Sequence, residues 1–414
     1  MPELRPFRAL RYDASAVPDI SVVLCPPYDV ISADERRALA ERDPRNAVRV
    51  ELPEGYEQAG ATLERWISEG TLHREGEPRI YLYEQRWSGD DGMEHAARGF
   101  FCRLKLEDYG AESGVRPHEH TMSGPKEDRF QLMTAVEANL SPVLFLYDDG
   151  AGGARAFALV QALTAAAPDV AGVGPGGLIN RLWVVDPAGS DAARELLALA
   201  AATPVTIADG HHRYETALRY RNEIGGGSSQ YVLALMYEAN SGGLELLPWH
   251  RLLSGVDPSG LIEKASRFYA VRARDSASAL AAAVDAMPYS MGLWTRDGGA
   301  VLTVERDRVE SLLPTGASEA VRWLDVSVLS STLSPMTGFT SAELSADGRL
   351  TYTSDAGAAI AAVDRGDADA AVLVRSTPIH DVMAVAAAGD FMPAKSTYFF
   401  PKAATGLVFN PLTD

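Results

Sequence analysis

The stretch VTIADGHHRYETALRY, residues 205–220, constrains the fold more than any other part of the chain. Val205, Thr206 and Ile207 form an apolar, β-branched run that reads as a short buried strand. Asp209-Gly210 makes a tight exit from it. From His211 the pattern turns helical, with Tyr214, Ala217 and Leu218 as an inner stripe. A strand handing over to a helix through one glycine calls for a sheet with helices packed on it, hence a mixed α/β chain. The same turn gathers His211, His212 and Arg213 at a helix start. Unpaired N–H groups and the helix dipole already favour negative charge there, so the stretch reads as an anion site.

Whole-chain properties narrow the choice of anion. With 414 residues, 46% of them hydrophobic, two domains are expected. The net charge is −18 and no Lys/Arg-rich run occurs, which argues against duplex nucleic acid as a partner. No segment reaches the roughly eighteen apolar residues of a membrane span. The opening MPELRPFRAL has neither signal nor transit character, so the expectation is a cytoplasmic protein with no membrane partner. Cys25 and Cys102 lack CxxC spacing, which sets aside a disulfide framework or zinc ribbon.

Three further blocks concentrate chemistry. In VVLCPPYDVIS, residues 22–32, Pro26-Pro27 stiffen a strand exit and present Tyr28 and Asp29 to a substrate. The same residues also read as a strand edge before Ser32, a good N-cap for ADERRALAERD. The block RPHEHTMSGPKEDRFQLM, residues 116–133, reads as a polar loop entering a helix. It holds His118, Glu119, His120, Lys126, Asp128 and Arg129. His118 and His120 are spaced to bind a metal from one side of an extended segment. The alternative is a solvated loop with Asp128 as a helix cap. In the tail, Gly389 to Ser396 falls one residue short of a P-loop. Ala394 and Pro393 spoil the phosphate cradle, and a helix rather than a strand precedes it. Lys395, Ser396, Thr397 and Lys402 remain as donors to an acidic ligand, or as an exposed loop.

Between these blocks, YEQAGATLERWISEG reads as an amphipathic helix ending at Gly70. PRIYLYEQRW and ARGFFCRLKLEDY read as a hairpin. YVLALMYEANSGGLELLPWHRLL reads as two strands joined at Ser241-Gly242-Gly243, ending on His250 and Arg251, a further substrate-facing pair. After Pro258 the pattern runs helix, strand, Ala-rich helix, hairpin. The boundary is therefore placed near residue 258, giving an N-terminal α/β domain, 1–258, with the site and a mixed α/β domain, 259–414.

Together PPYDVIS, PHEHT with its following K-x-D-R, ADGHHRYETAL and MPAKSTYFFPK with a later GLVF resemble the signature blocks of domain-of-unknown-function family 1015. Members are bacterial and archaeal proteins of about this length. More locally, strand–DGHHR–helix is similar to the phosphate-binding turn of the ParB/sulfiredoxin-like fold, which includes free-serine kinases. That resemblance implies a ParB/sulfiredoxin-like nucleotide-binding core in which Gly210, His211, His212 and Arg213 hold phosphates, with Asp209 at the turn.

The chemistry follows from the residue types. Phosphoryl transfer needs charge neutralisation, in-line positioning and a base. Arg213 offers a planar fork for phosphate oxygens, and Arg129 and Lys126 add positive charge. Magnesium carrying ATP or ADP would draw on Asp209, Glu119 or Asp128. Glu119 is the first choice of base and Glu215 the second, with Asp209, His211 and His212 in the catalytic group. Glu215 otherwise serves as a helical partner of Arg219. The leading expectation is a nucleotide-dependent phosphotransferase acting on a small metabolite such as free serine, with homodimerisation open. A metal-assisted hydrolase would instead use zinc or manganese on His118, His120, His211 and Glu215, the last two one helical turn apart. A non-catalytic nucleotide or metabolite sensor is the third reading.

Overall fold

The computed structural model describes residues 1–89, 92–121, 123–274, 276–346 and 348–413. Strands and helices alternate in a mixed α/β chain that divides into two compact units. The first comprises residues 1–245 and 401–414, the second residues 246–400. At the expected boundary near 258, Pro258 opens a helix. The second unit starts earlier, at Leu246 ahead of the strand His250–Leu253, and the last fourteen residues belong to the first.

In the first unit a nine-stranded sheet runs in the order Val115–Arg116, Val205–Asp209, Val143–Tyr147, Tyr231–Glu238, Glu94–Lys105, Ile80–Ser88, Ile179–Val185, Val170–Val173. Leu4–Arg5 pairs onto Glu94–Lys105. Two pairings are parallel, Val205–Asp209 with Val115–Arg116 and Tyr231–Glu238 with Val143–Tyr147. The expected hairpin is present, Glu84 standing opposite Arg98. Its core gathers Leu82, Phe100, Phe145, Val205, Ile207 and Tyr214. Ser32 forms a capping box with Glu35 at the start of the helix Ala33–Arg42, as its sequence suggested. Gly60 lets the helix Tyr56–Ser68 approach Ser123–Val136, because a Cβ there would collide with the Ala135 carbonyl oxygen. The loop-to-helix change in the 116–133 block falls at Ser123. Asp128 is therefore inside the helix and is not its cap.

In the second unit six antiparallel strands follow the order Tyr269–Arg274, Gly298–Val304, Ser290–Thr295, Ala370–Val374, His250–Leu253, Leu350–Thr353. One face packs Leu253, Leu293 and Val372 against Val328 and Leu329. The other packs Ala371 and Leu373 against Leu280, Val284 and Ile360. The helix, strand, Ala-rich helix and hairpin read after Pro258 all form. Among the described residues no helix is long and apolar enough to cross a membrane.

Candidate functional site

The strand Val205–Asp209 reaches the site through a bulge. Its register against Val143–Tyr147 shifts between Ile207 and Asp209, which re-aims the acid. Gly210 then adopts φ 93°, a left-handed conformation that glycine tolerates and others resist, and the helix His211–Glu223 begins. A Cβ on Gly210 would press on the Arg213 guanidinium at 3.0 Å. Tyr214 and Ala217 are buried and Leu218 packs at the core margin, which anchors the helix.

At the turn the Asp209 carboxylate is divided between two cations. One oxygen accepts from Lys402 Nζ and the other from Arg213. Burial alone would raise the Asp209 pKa, but Lys402 and Arg213 outweigh it and hold the acid far below the usual carboxylate range. Arg213 also donates to the Pro142 carbonyl, so its fork is already engaged within the protein. Burial works against the Arg213 charge, and Asp209, Asp29, Tyr28 and Glu51 together restore it.

Two histidines pack edge to face beneath the turn, ring centroids 4.7 Å apart. His118 Nδ1 lies 2.7 Å from the Ile207 carbonyl oxygen, and the His118 backbone N–H donates to His211 Nε2 at 3.2 Å. His211 is therefore an acceptor at Nε2 and carries its proton on Nδ1. Burial pushes His118 down to about 4 and His211 well below its ordinary value, so both are neutral. His212 is half-buried and also lowered, by burial first, with Glu215 and Asp29 opposing Lys126 and Arg213.

On the next turn Glu215 accepts from Thr121 Oγ1 at 2.7 Å and from Lys126 Nζ at 2.9 Å. It does not serve Arg219, which pairs with Glu223 and Glu127. Asp128 is held by the Tyr56 hydroxyl and Arg129. Arg129, itself buried, donates to the Glu51 carbonyl oxygen and lies 4.1 Å from the centre of the Tyr28 ring. Burial pushes the Tyr28 phenol up to about 12. A cavity of about 40 Å³ lies between Arg129, Arg213, Glu51 and Thr216, with room for only a few atoms. The Thr216 hydroxyl that lines it is buried without a hydrogen-bond partner.

Of the residues singled out in the sequence, Asp209, Gly210, His211, His212, Arg213, His118, Lys126, Arg129, Asp128, Glu215, Tyr28 and Asp29 are thus linked in the first unit. Glu119 is half-buried and His120 exposed in the loop beyond Val115–Arg116. Lys395, Ser396, Thr397, His250 and Arg251 belong to the second unit. There Arg251 donates to the carbonyls of Trp249 and Lys395, Lys395 stands 4.9 Å from the Trp249 ring centre, and Ser396 turns back to the Pro393 carbonyl. The Thr397 carbonyl accepts from the Trp249 indole. His250 Nδ1 accepts from the Val374 N–H, and burial lowers His250 to about 4.

Two of the carboxylates nominated for a metal already serve as ion-pair partners. Asp209 and Asp128 are committed to cations, and among the described residues no three of His118, His120, His211 and Glu215 bring their ligand atoms together. Among the described residues the metal-type donors that do converge are Asp148, Asp149 and Glu238, away from the turn. Lys402 was legible only as a tail cation. Glu51 carried no signal beyond a lone acid in a short apolar stretch.

Fold and site define a mixed α/β protein in which a sheet delivers an ionised aspartate, gripped by lysine and arginine, to a helix N-terminus. The chain belongs to the family described as protein of unknown function (DUF1015), whose model matches residues 4–327. Solved structures similar to it include a free serine kinase in complex with AMP, at 13% identity over 73% of this chain and 86% of that one, TM-score 0.38. A conserved hypothetical protein from Pyrococcus furiosus matches at 13% over 73% and 90%, TM-score 0.36. SbnI with C-terminal truncation from Staphylococcus aureus matches at 12% over 74% and 88%, TM-score 0.39. No curated protein matches the sequence.

Proposed function

We propose that the 209–213 turn binds the phosphates of ATP or ADP and passes a phosphoryl group to the hydroxyl of a small metabolite, free serine being the first to assay. One observation carries this reading: Lys402 and Arg213, two cations, converge on a single ionised carboxylate at a helix start. Asp209 sets the direction of both cations, and the first N–H groups of the helix have no partner within it. A terminal phosphate fits that combination of charge and donors.

In the transfer the metabolite hydroxyl oxygen attacks the terminal phosphorus. The bond to the nucleotide's bridging oxygen breaks, and a base takes the hydroxyl proton. Asp209 is too weakly basic for that step, and His211 Nε2 already accepts a hydrogen bond. His212 and Glu119 remain as bases, and magnesium enters as part of the nucleotide substrate. Such a reaction belongs in the cytoplasm, where nucleotides are abundant.

Titration calorimetry with ATP, ADP, serine and phosphoserine tests the proposal. Arg213→Ala should weaken nucleotide binding by about 2–4 kcal/mol, and Arg213→Lys should restore part of it. Unchanged nucleotide affinity in folded Arg213→Ala and Lys402→Ala would reduce the turn to a structural ion cluster.

A further inference from the structure

The sheet of the first unit carries a second charged feature, remote in sequence from the turn. Glu84 stands opposite Arg98 on one neighbouring strand and opposite Arg181 on the other, with Arg86 two residues along its own strand. A spacing of two returns to the same face, so all four side chains project together. On that face Leu82, opposite Phe100 and Trp183, still belongs to the core, and the charges begin where the core ends.

The Glu84 carboxylate, 3% exposed, accepts from Arg86 Nε at 2.6 Å, Arg98 Nε at 2.6 Å and Arg181 Nη1 at 3.3 Å. Burial opposes its ionisation, and the arginines outweigh burial. All three arginine side chains stay about one-third exposed and line a cavity of about 620 Å³, with Trp183, Ala171 and residues between 161 and 168 completing the wall. That volume lies within the range of small-molecule sites. Three cations against one lining carboxylate leave two positive charges in surplus, which Glu94 offsets only by a weak pull on Arg86. In a chain of net charge −18 this is a local reversal of sign, held in a concavity that concentrates its field.

We propose that this pocket binds a small phosphate-bearing anion of two or more charges through Arg86, Arg98 and Arg181, with Glu84 as the internal carboxylate that the three forks hold until the anion displaces it. A dianion matches the surplus charge, and guanidinium forks match phosphate oxygens. The inference stands apart from phosphoryl transfer at the turn.

The test is calorimetric titration of the full chain with inorganic pyrophosphate at low salt. Arg86→Ala/Arg181→Ala should weaken binding by about a hundredfold, roughly tenfold for each arginine removed. Lys402→Ala should leave this binding intact, so failure at one site is read separately from failure at the other. Glu84→Gln keeps the shape and removes the competing carboxylate, and should tighten pyrophosphate several-fold. Arg86→Lys supplies a milder variant if the double substitution misfolds, with a smaller loss expected. Three results would each overturn the pocket: pyrophosphate lost with Lys402→Ala yet kept with the arginine variants, a Glu84→Gln chain that only melts earlier, or a preference for a poly-glutamate peptide over pyrophosphate.

Discussion

Asp209 is an acid whose two oxygens answer to two different cations, so its neutralisation leaves both cations stranded. Asp209→Asn should cost about 3 kcal/mol at neutral pH, measured by urea unfolding. The pKa of Asp209 is depressed on folding, so its contribution is complete above the unfolded value near 4 and is lost as pH falls below it. The gap between wild type and Asp209→Asn should therefore close only in acid below about pH 4. A gap that already narrows between pH 7 and 5 would show that Asp209 is not the group responsible. His118 works in a higher window with the same sign. Its folded pKa of about 4 lies below the unfolded 6.5, so its share of stability is present above 6.5 and lost as pH falls toward 4. His118→Asn should flatten that part of the stability curve, with His211, His212 and His250 supplying the slope that remains.

At the scale of elements, the strand, glycine and helix of 205–223 act as one part. Gly210→Ala puts a side chain into a left-handed conformation and against the Arg213 guanidinium, so about 2 kcal/mol of stability should be lost. Under the phosphotransfer reading, nucleotide-induced thermal stabilisation should fall with it. Equal stabilisation in Gly210→Ala and wild type would mean that the turn's backbone does not touch the nucleotide. This element was readable because strand, turn and helix signals are local and consecutive, and the Ser32 cap and the 258–304 run were readable for the same reason. The start of the helix Ser123–Val136 was not. Ser123, Gly124 and Pro125 resemble a loop, and contact with Tyr56–Ser68 and His211–Glu223 outweighs their propensity. Partner choice was also hidden. Nothing in the sequence near 209 points to position 402, and the pairing of Glu215 with Lys126 instead of Arg219 depends on helix packing.

For the whole molecule, the return of residues 401–414 to the first unit is the decisive connection. Asn410–Pro411 pairs with Ala138–Asn139, Asn410 is fully buried beside Arg103 and Asn139, and Leu412 joins the core. Removing 401–414 should lower the unfolding midpoint of the first unit and leave the second, 246–400, with its own cooperative transition. Calorimetry on the shortened chain checks this, and an undisturbed first transition would contradict it. The truncation takes Lys402 as well, so the Asp209 ion cluster should be lost together with the stability.

That closing segment also orders events during synthesis. Residues 1–245 leave the ribosome with the Asp209 carboxylate made but its lysine partner not yet translated. Another 155 residues, 246–400, must follow first. At about 5–20 residues per second the delay is roughly 8–30 s. The nascent first unit spends that interval without its last strand and with an incomplete ion cluster. A chain released early lacks Lys402 and keeps only the Arg213 half of the ion cluster, so premature termination yields a protein that is unfinished at its site as well as in its core.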